Sequence, residues 1–219
     1  MKYPLNILNH YIEKGLVLKQ DHPSLPLSIY NYSRTCQYDK LWDEVTLNCR
    51  GLILDTKGNV VAKPFPKFFN YEEHTADEIP NELFDVYEKM DGSLGILFFY
   101  EGNWVVATRG SFTSDQAKKA KQMLETKYNL ESIPKGYTTL FEIIYPENRI
   151  VVDYGDEEKL VVLGMTSRAS GKELDYESIV NMHSLSGLPV VKRYDGIRDY
   201  SELKDKVEQN AEGFVVRFS

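Results

Sequence analysis

The feature that most constrains this chain is a lysine beside an Asp-Gly pair, set between two strand-like runs. Lys89 is followed by one spacer residue and then by Asp91 and Gly92; residues 83–87 precede it and the apolar, aromatic run 94–100 follows it. Such runs predict strands, and Asp-Gly favours a tight turn because glycine adopts positive φ without penalty. We therefore expect Lys89 at the end of a strand, beside a hairpin turn, with its amine facing the space that the strands enclose.

An amine in that position can act as a covalent nucleophile once it has lost its proton. The alternative is an exposed lysine next to a turn. For the four-residue pattern alone the alternative is favoured, because so short a pattern recurs by chance.

Composition and charge narrow the class of protein. The 219 residues suffice for one large domain or two small ones, and 15 tyrosines and 10 phenylalanines favour a sheet-rich fold. No apolar run approaches the roughly 20 residues of a membrane span, and the first residues form no secretory signal. Cys36 and Cys49 are too few for a disulfide framework or a zinc site and fit a reducing compartment. We expect a cytoplasmic protein, phage-encoded or cellular, with no membrane partner.

The formal net charge of −7 bears on nucleic-acid binding. Proteins that hold nucleic acid nonspecifically normally present a basic surface. The charge therefore argues mildly against such a binder, but it allows a small nucleotide or a local basic groove.

Two cations lie beside other strand-like runs. Arg50 is at a strand entrance, where a guanidinium can clamp a phosphate or carboxylate; the alternative is a surface arginine. Lys67 lies among phenylalanines, so that it can meet a phosphate while a ring such as Phe69 stacks on a base. It can equally be a snorkelling lysine at a corner of the core.

Two glutamates are also placed in or at strands. Glu142 interrupts the apolar run 138–145, where a carboxylate is costly to bury unless it is paired, hydrogen-bonded or bound to a metal. It either faces solvent on a half-exposed sheet or lines a polar pocket. Glu212, followed by Gly213, leads into the final strand-like run.

Periodicity and capping residues predict the other elements. Helices are expected over residues 6–14, 113–128, 176–185 and 200–209, with Ser114 and Ser201 as N-caps, and further strands over 27–32, 59–63, 104–109, 160–165 and 189–192.

In order, these features resemble the covalent nucleotidyltransferases, namely ATP-dependent DNA and RNA ligases and messenger-RNA capping enzymes. The nucleophile motif of that family is similar to residues 89–92, and its glutamate motifs are similar to residues 141–142 and 212–216. The chain is also similar to the phage-type RNA ligase 1 branch, which repairs cut transfer RNA, over residues 49–54, 66–70, 89–94, 108–111 and 146–151.

The resemblance implies a three-step reaction. Lys89 would attack the α-phosphate of ATP, release pyrophosphate and hold AMP through a phosphoramide bond. AMP would then pass to the 5′-phosphate of an RNA, and a 3′-hydroxyl would displace it and seal the strand. The expected partners are ATP and RNA 5′-phosphate and 3′-hydroxyl ends, including those of cleaved transfer RNA.

The resemblance also implies a set of site residues. Lys89 is the catalytic nucleophile, and the nucleotide-binding residues are Arg50, Lys67, Asp91, Gly92, Arg109, Glu142, Phe69 and Tyr30. Of these, Phe69 and Tyr30 are weaker candidates for the adenine and ribose pocket, together with Phe68, Asn31 and Tyr32. Glu142 and Glu212 are expected to bind Mg²⁺ or Mn²⁺, directly or through water, although in the family the first of these glutamates can hold the ribose instead.

For the fold, the resemblance implies an α+β nucleotidyltransferase (adenylation) domain with twisted antiparallel sheets and flanking helices. We expect one monomeric domain over residues 1–219, with 1–30 as a peripheral N-terminal segment. Family members continue past the strand led by Glu212-Gly213 to a Lys-x-Lys motif that binds the ATP phosphates, and the phage-type enzyme adds a C-terminal substrate domain beyond it. Neither lies within residues 1–219, so we expect partial activity from this chain alone.

Two alternatives remain open. A DNA ligase or capping enzyme would use the same lysine, and a capping enzyme would form an adduct with GMP. A noncatalytic nucleotide or RNA-end binding module would form no adduct.

Overall fold

Three antiparallel β-sheets build the protein, seen in a computed structural model that describes residues 1–218. Along these residues the strands are β1 Val17–Asp21, β2 Leu27–Tyr32, β3 Arg50–Asp55, β4 Val60–Ala62, β5 Phe84–Glu88, β6 Ser93–Tyr100, β7 Asn103–Thr108, β8 Tyr137–Ile144, β9 Lys159–Ser167, β10 Arg193–Tyr194 and β11 Phe214–Phe218. The α-helices are α1 Leu5–Glu13, α2 Arg34–Tyr38, α3 Glu44–Asn48, α4 Asp115–Lys127, α5 Tyr176–His183 and α6 Ser201–Lys204.

The strand order within the sheets is β1-β2-β3-β4, β7-β6-β8-β9 and β10-β5-β11. All named strand pairs are antiparallel. The expected α+β class with antiparallel sheets and flanking helices is confirmed. None of the helices within residues 1–218 has the length and apolar character needed to cross a membrane.

The two four-stranded sheets pack face to face. Ile29 and Ile53 from one sheet and Ile96, Phe98 and Leu140 from the other form one buried cluster. Each of these side chains is almost fully excluded from water, which stabilises the fold by about 1.5 to 3 kcal/mol per side chain.

Helices cover the outer faces of these two sheets. Leu8 of α1 packs on Leu52 and other residues of the first sheet, and Met123 of α4 and Ile179 of α5 pack on Phe141 of the second. The result is a helix–sheet–sheet–helix arrangement whose inner gap opens next to the third sheet.

The predicted hairpin at Lys89 is wrong. β5 and β6 lie in different sheets, so residues 89–92 cross from one sheet to another. Gly92 does not adopt a positive φ. It is required for a different reason, because a Cβ there would lie 2.5 Å from the carbonyl oxygen of Ile143 on β8.

Several other expectations are corrected. The helix predicted over 200–209 is confined to Ser201–Lys204, and Ser201 is its first residue rather than its N-cap. The strand predicted over 189–192 is reduced to a single bridge between Val190 and Val162. β1 was missed because only its first residue, Val17, is buried, so the strand lacks the alternation that marks a strand.

The segment 1–30 is only partly peripheral. Its α1 and β1 lie at the outside of the first sheet, but Leu8 and Val17 are fully buried there and Ile29 belongs to the inter-sheet core. The segment is therefore part of the folded unit.

A β-bulge at Gly51 determines where Arg50 points. Tyr30 is paired with Leu52 and Asn31 with Arg50, so Gly51 is an extra residue in β3, and its φ is +91°. One extra residue reverses the face on which the preceding side chain lies. Arg50 therefore faces the gap between the sheets, whereas Leu52 faces α1.

We expect Gly51→Ala to destabilise the protein by about 2 to 5 kcal/mol, combining backbone strain with overpacking. A Cβ at Gly51 would lie 2.6 Å from Ile96 Cδ1 and 3.2 Å from the Arg109 carbonyl oxygen. Urea denaturation measures the change. Gly102→Ala is the matched control, because Gly102 has a φ of +84° but open space around it, so only the strain of about 1 to 2 kcal/mol applies. Equal losses in both variants would contradict the close packing at Gly51.

Candidate active site

A cavity of about 740 Å³ lies where the three sheets meet. This volume suits a small-molecule ligand such as a nucleotide. Most of the residues singled out from the sequence line it, namely Arg50, Lys89, Asp91, Gly92, Arg109, Glu142 and Glu212.

Lys89 is held in the cavity by two contacts with the segment before β11. Its backbone N–H donates to the Gly213 carbonyl at 3.0 Å, and its Nζ donates to Glu212 Oε1 at 3.0 Å. Both side chains are partly buried, with 37% and 25% of their surfaces exposed. The amine is therefore neither in open solvent nor sealed in the core.

Asp91 anchors the crossover that carries Lys89. Its Oδ2 accepts hydrogen bonds from the backbone N–H groups of Val151 at 2.6 Å and Val152 at 2.5 Å, and its own N–H donates to the Tyr154 hydroxyl at 2.9 Å. The carboxylate is thus occupied by the protein. Its contribution to the site is to fix the backbone next to Lys89.

Glu142 lines the cavity and does not face solvent, which settles one alternative left open by the sequence. Burial raises the pKa of Glu142 to about 8, although a hydrogen bond from the Gly92 N–H and the charges of Arg50 and Lys89 act in the opposite direction. The carboxyl group lacks enough positive charge around it to remain ionised at neutral pH.

Two guanidinium groups face the same space. Arg50 lies with its guanidinium carbon 5.2 Å from the centre of the Phe68 ring, and burial followed by the charge of Arg109 lowers its pKa. Arg109 donates from Nη1 to the Tyr32 hydroxyl at 2.8 Å. Together with Lys89 they concentrate positive charge in a protein of net charge −7, which favours an anionic ligand.

Lys67 and Phe69 do not line the cavity. Lys67 Nζ donates to the Phe68 carbonyl at 2.8 Å and lies 4.7 Å from the centre of the Phe69 ring. The Phe69 ring in turn packs on Trp42. Burial, followed by the charges of Arg50, Arg109 and Lys89, lowers the pKa of Lys67 although Glu73 opposes this, so Lys67 lies beside the cluster of cations without lining the cavity.

Tyr30 does not belong to the site, and its assignment to a nucleotide pocket is corrected. Only 3% of its surface is exposed, and its ring packs in the cluster beneath α1 with Leu8 and Leu52. A ring buried there cannot stack on a ligand. The next residue along β2, Asn31, lines the cavity instead.

Other contributors were missed from the sequence. They are Ser93, Tyr154, Glu173 and Arg217. Ser93 directly follows the Asp91-Gly92 pair, so its place in the chain could have indicated it. Tyr154, Glu173 and Arg217 are brought in by segments remote from Lys89 in sequence, for which the chain offers no local signal.

Comparison with known proteins assigns the chain to a family. A family model described as RNA ligase matches residues 48–219. The chain belongs to the RNA ligase family. A Thermovibrio ammonificans protein whose name proposes it to be an RNA ligase is 30% identical over 177 residues, which is 77% of this chain and 46% of that protein.

Solved structures show the same fold at low identity. An archaeal ATP-dependent RNA ligase has a TM-score of 0.63 at 17% identity, and the match covers 98% of this chain and 58% of the other. A Naegleria gruberi RNA ligase mutant, determined with ATP and Mn, has a TM-score of 0.50 at 14% identity, covering 65% of this chain and 47% of that one. This chain spans less than half the length of the curated relatives that it matches.

The raised pKa of Glu142 makes the stability of the protein depend on pH. The folded protein keeps the Glu142 proton up to about pH 8, whereas the unfolded chain loses it near pH 4 to 5. The folded state therefore binds more protons between these values, and the free energy of unfolding falls as the pH rises from about 5 to about 8.

Glu142→Gln carries no such proton, so its free energy of unfolding should fall less over this range, by a margin of about 3 to 5 kcal/mol. Urea unfolding of both proteins at several pH values measures the margin. Parallel profiles for the two proteins would show that Glu142 titrates normally.

Proposed function

We propose that this chain is the adenylation domain of an ATP-dependent RNA ligase and that Lys89 is its nucleophile. The observation that carries the proposal is the position of the Lys89 amine. It lies in a nucleotide-sized cavity, held by Glu212 and facing the same space as the guanidinium groups of Arg50 and Arg109.

The first step would form a bond between Lys89 Nζ and the α-phosphorus of ATP and break the bond from that phosphorus to the leaving pyrophosphate. The ammonium must lose its proton before the attack, and the Glu212 carboxylate is the group hydrogen-bonded to it. Negative charge grows on the phosphoryl oxygens during transfer, so fixed cations around them stabilise the transition state. Arg50 and Arg109, which line the same cavity as Lys89, are the cations that we propose for this role.

We propose Glu142 and Glu212, which both line the cavity, as ligands of a divalent cation. Glu142 is a carboxyl group whose pKa is raised by burial, so a cation beside it would restore its ionised form. The described residues contain no group of three or more metal-binding side chains. Two carboxylates with ATP oxygens and water are what Mg²⁺ usually accepts, and Mn²⁺ is an alternative. The cation would neutralise phosphate charge in the reaction.

The later steps concern nucleic acid. The family and the ATP-dependent RNA ligase with the same fold support RNA as the acceptor, with AMP passing to a 5′-phosphate before a 3′-hydroxyl seals the strand. Ends of cleaved transfer RNA are the substrates that we propose, in the cytoplasm and with the chain acting as a monomer.

Lys89→Ala and Lys89→Arg should each abolish the covalent adduct, because neither side chain offers an amine nucleophile. Lys89→Arg is the sharper variant, since it keeps a positive charge next to Glu212. Incubation with α-labelled ATP and Mg²⁺, followed by denaturing electrophoresis and intact mass measurement, detects the addition of AMP. Lys118→Ala, on the outer side of α4, should react like the wild type. An adduct in either Lys89 variant would assign the nucleophile to another residue.

The same assay separates the rival functions. Labelled GTP should give no adduct, and a GMP adduct would identify a capping-type enzyme. Failure of the wild type to gain AMP would favour a noncatalytic binding module. Sealing of nicked RNA and nicked DNA by the pre-adenylylated protein distinguishes an RNA from a DNA ligase.

A further inference from the structure

Arg50 and Arg109 are two like charges that the fold brings together from different sheets. Arg50 begins β3, and Arg109 follows the last residue of β7. The two backbones are close, because a Cβ on Gly51 would lie 3.2 Å from the Arg109 carbonyl oxygen. Burial and the charge of Arg109 both lower the Arg50 pKa, so a neutral hydrogen-bond acceptor beside the two guanidinium groups would stabilise them close together.

That group is the hydroxyl of Tyr32. Arg109 Nη1 donates to it at 2.8 Å, and the Arg109 guanidinium carbon lies 5.0 Å from the centre of the Tyr32 ring. Tyr32 is also near enough to Arg50 to oppose the lowering of the Arg50 pKa that burial and Arg109 cause. A phenolic oxygen has two lone pairs and can accept from both guanidinium groups. Tyr32 itself does not line the cavity and is only 4% exposed, so it acts from behind the two cations.

The Tyr32 ring is held firmly. It packs edge-to-face on Trp42 with centroids 4.9 Å apart, and Trp42 packs in the same way on Phe69 at 5.6 Å. The backbone N–H of Tyr32 donates to the Cys49 carbonyl at 2.7 Å, next to Arg50. The hydroxyl therefore has a fixed position relative to β3.

We propose that Tyr32 is a positioning residue that holds the Arg50 and Arg109 guanidinium groups at one spacing and so forms an anion clamp on the wall of the cavity. The inference deepens the proposed function, because it says how the phosphate-facing cations are aligned. The inference also gives a role to Trp42 and Phe69, whose rings do not line the cavity. Phe69 packs on Trp42, and Trp42 packs on the Tyr32 ring.

Tyr32→Phe tests the inference, since it removes the hydroxyl and keeps the ring on Trp42. The rate constant for AMP addition in a single turnover should fall roughly 10-fold to 100-fold, the usual cost of a misaligned supporting group. The final fraction of adenylylated protein should equal that of the wild type, because the folded population is unchanged. A general folding defect would lower that fraction instead.

Tyr30→Phe is the matched control. Tyr30 lies two residues earlier on the same strand, is equally buried at 3% exposure and packs beneath α1 away from the arginines. It should react at the wild-type rate. In an Arg109→Lys background, Tyr32→Phe should cause a much smaller further loss, because the pair of guanidinium groups that the hydroxyl aligns is already broken.

Binding of inorganic tripolyphosphate, measured by calorimetry, tests the clamp without any reaction at Lys89. Tyr32→Phe should bind it roughly tenfold more weakly than the wild type, and Tyr30→Phe should bind it equally well. If the wild type forms no adduct but this pattern is found, the proposed function fails and the clamp stands. Equal rates and equal affinities in Tyr32→Phe and the wild type would overturn the inference, as would additive losses with Arg109→Lys.

Discussion

The site depends on charges of both signs held close together in a partly buried gap between the sheets. Arg50, Arg109 and Lys89 face the gap with Glu142 and Glu212, and removing any such group from water is unfavourable unless its neighbours compensate. The compensation is incomplete, since the pKa of Glu142 is raised to about 8 and that of Arg50 is lowered. Such an arrangement is suited to a ligand that brings both phosphate and a cation. The phosphate would stabilise the charged form of Arg50, and the cation would stabilise the ionised form of Glu142.

Backbone features place these charges. The bulge at Gly51 turns Arg50 towards the gap, and the absence of a Cβ on Gly92 lets the crossover pass against β8. Asp91 pins the same crossover by accepting two backbone hydrogen bonds from the 150–152 segment. In both the Arg50-Gly51 and the Asp91-Gly92 pair, the glycine lets the backbone pass close to a neighbouring segment. That close passage fixes the position of the charged residue beside it.

The sequence identified most of the charged residues that line the cavity. The series of charged residues at strand ends gave the family, which the match over residues 48–219 confirms, and strand and helix patterns gave β2, β8, α4 and α5 close to their observed bounds. Polar edge strands such as β1 carry too little apolar alternation to be seen. The short α6 had helical periodicity but too few packing contacts to extend it, since none of its residues is buried.

What the sequence determined by itself is which residues carry charge, where strands begin and where the chain can turn, because these follow from side-chain chemistry and local backbone preference. Only the tertiary structure decided which of them meet. It put β5 and β6 in separate sheets, sent Tyr30 into the core and Asn31 into the cavity, and set Tyr32 behind two arginines from different sheets. The reason is that a one-residue bulge or a change of sheet reverses what a side chain faces, and no local pattern in the sequence records that reversal.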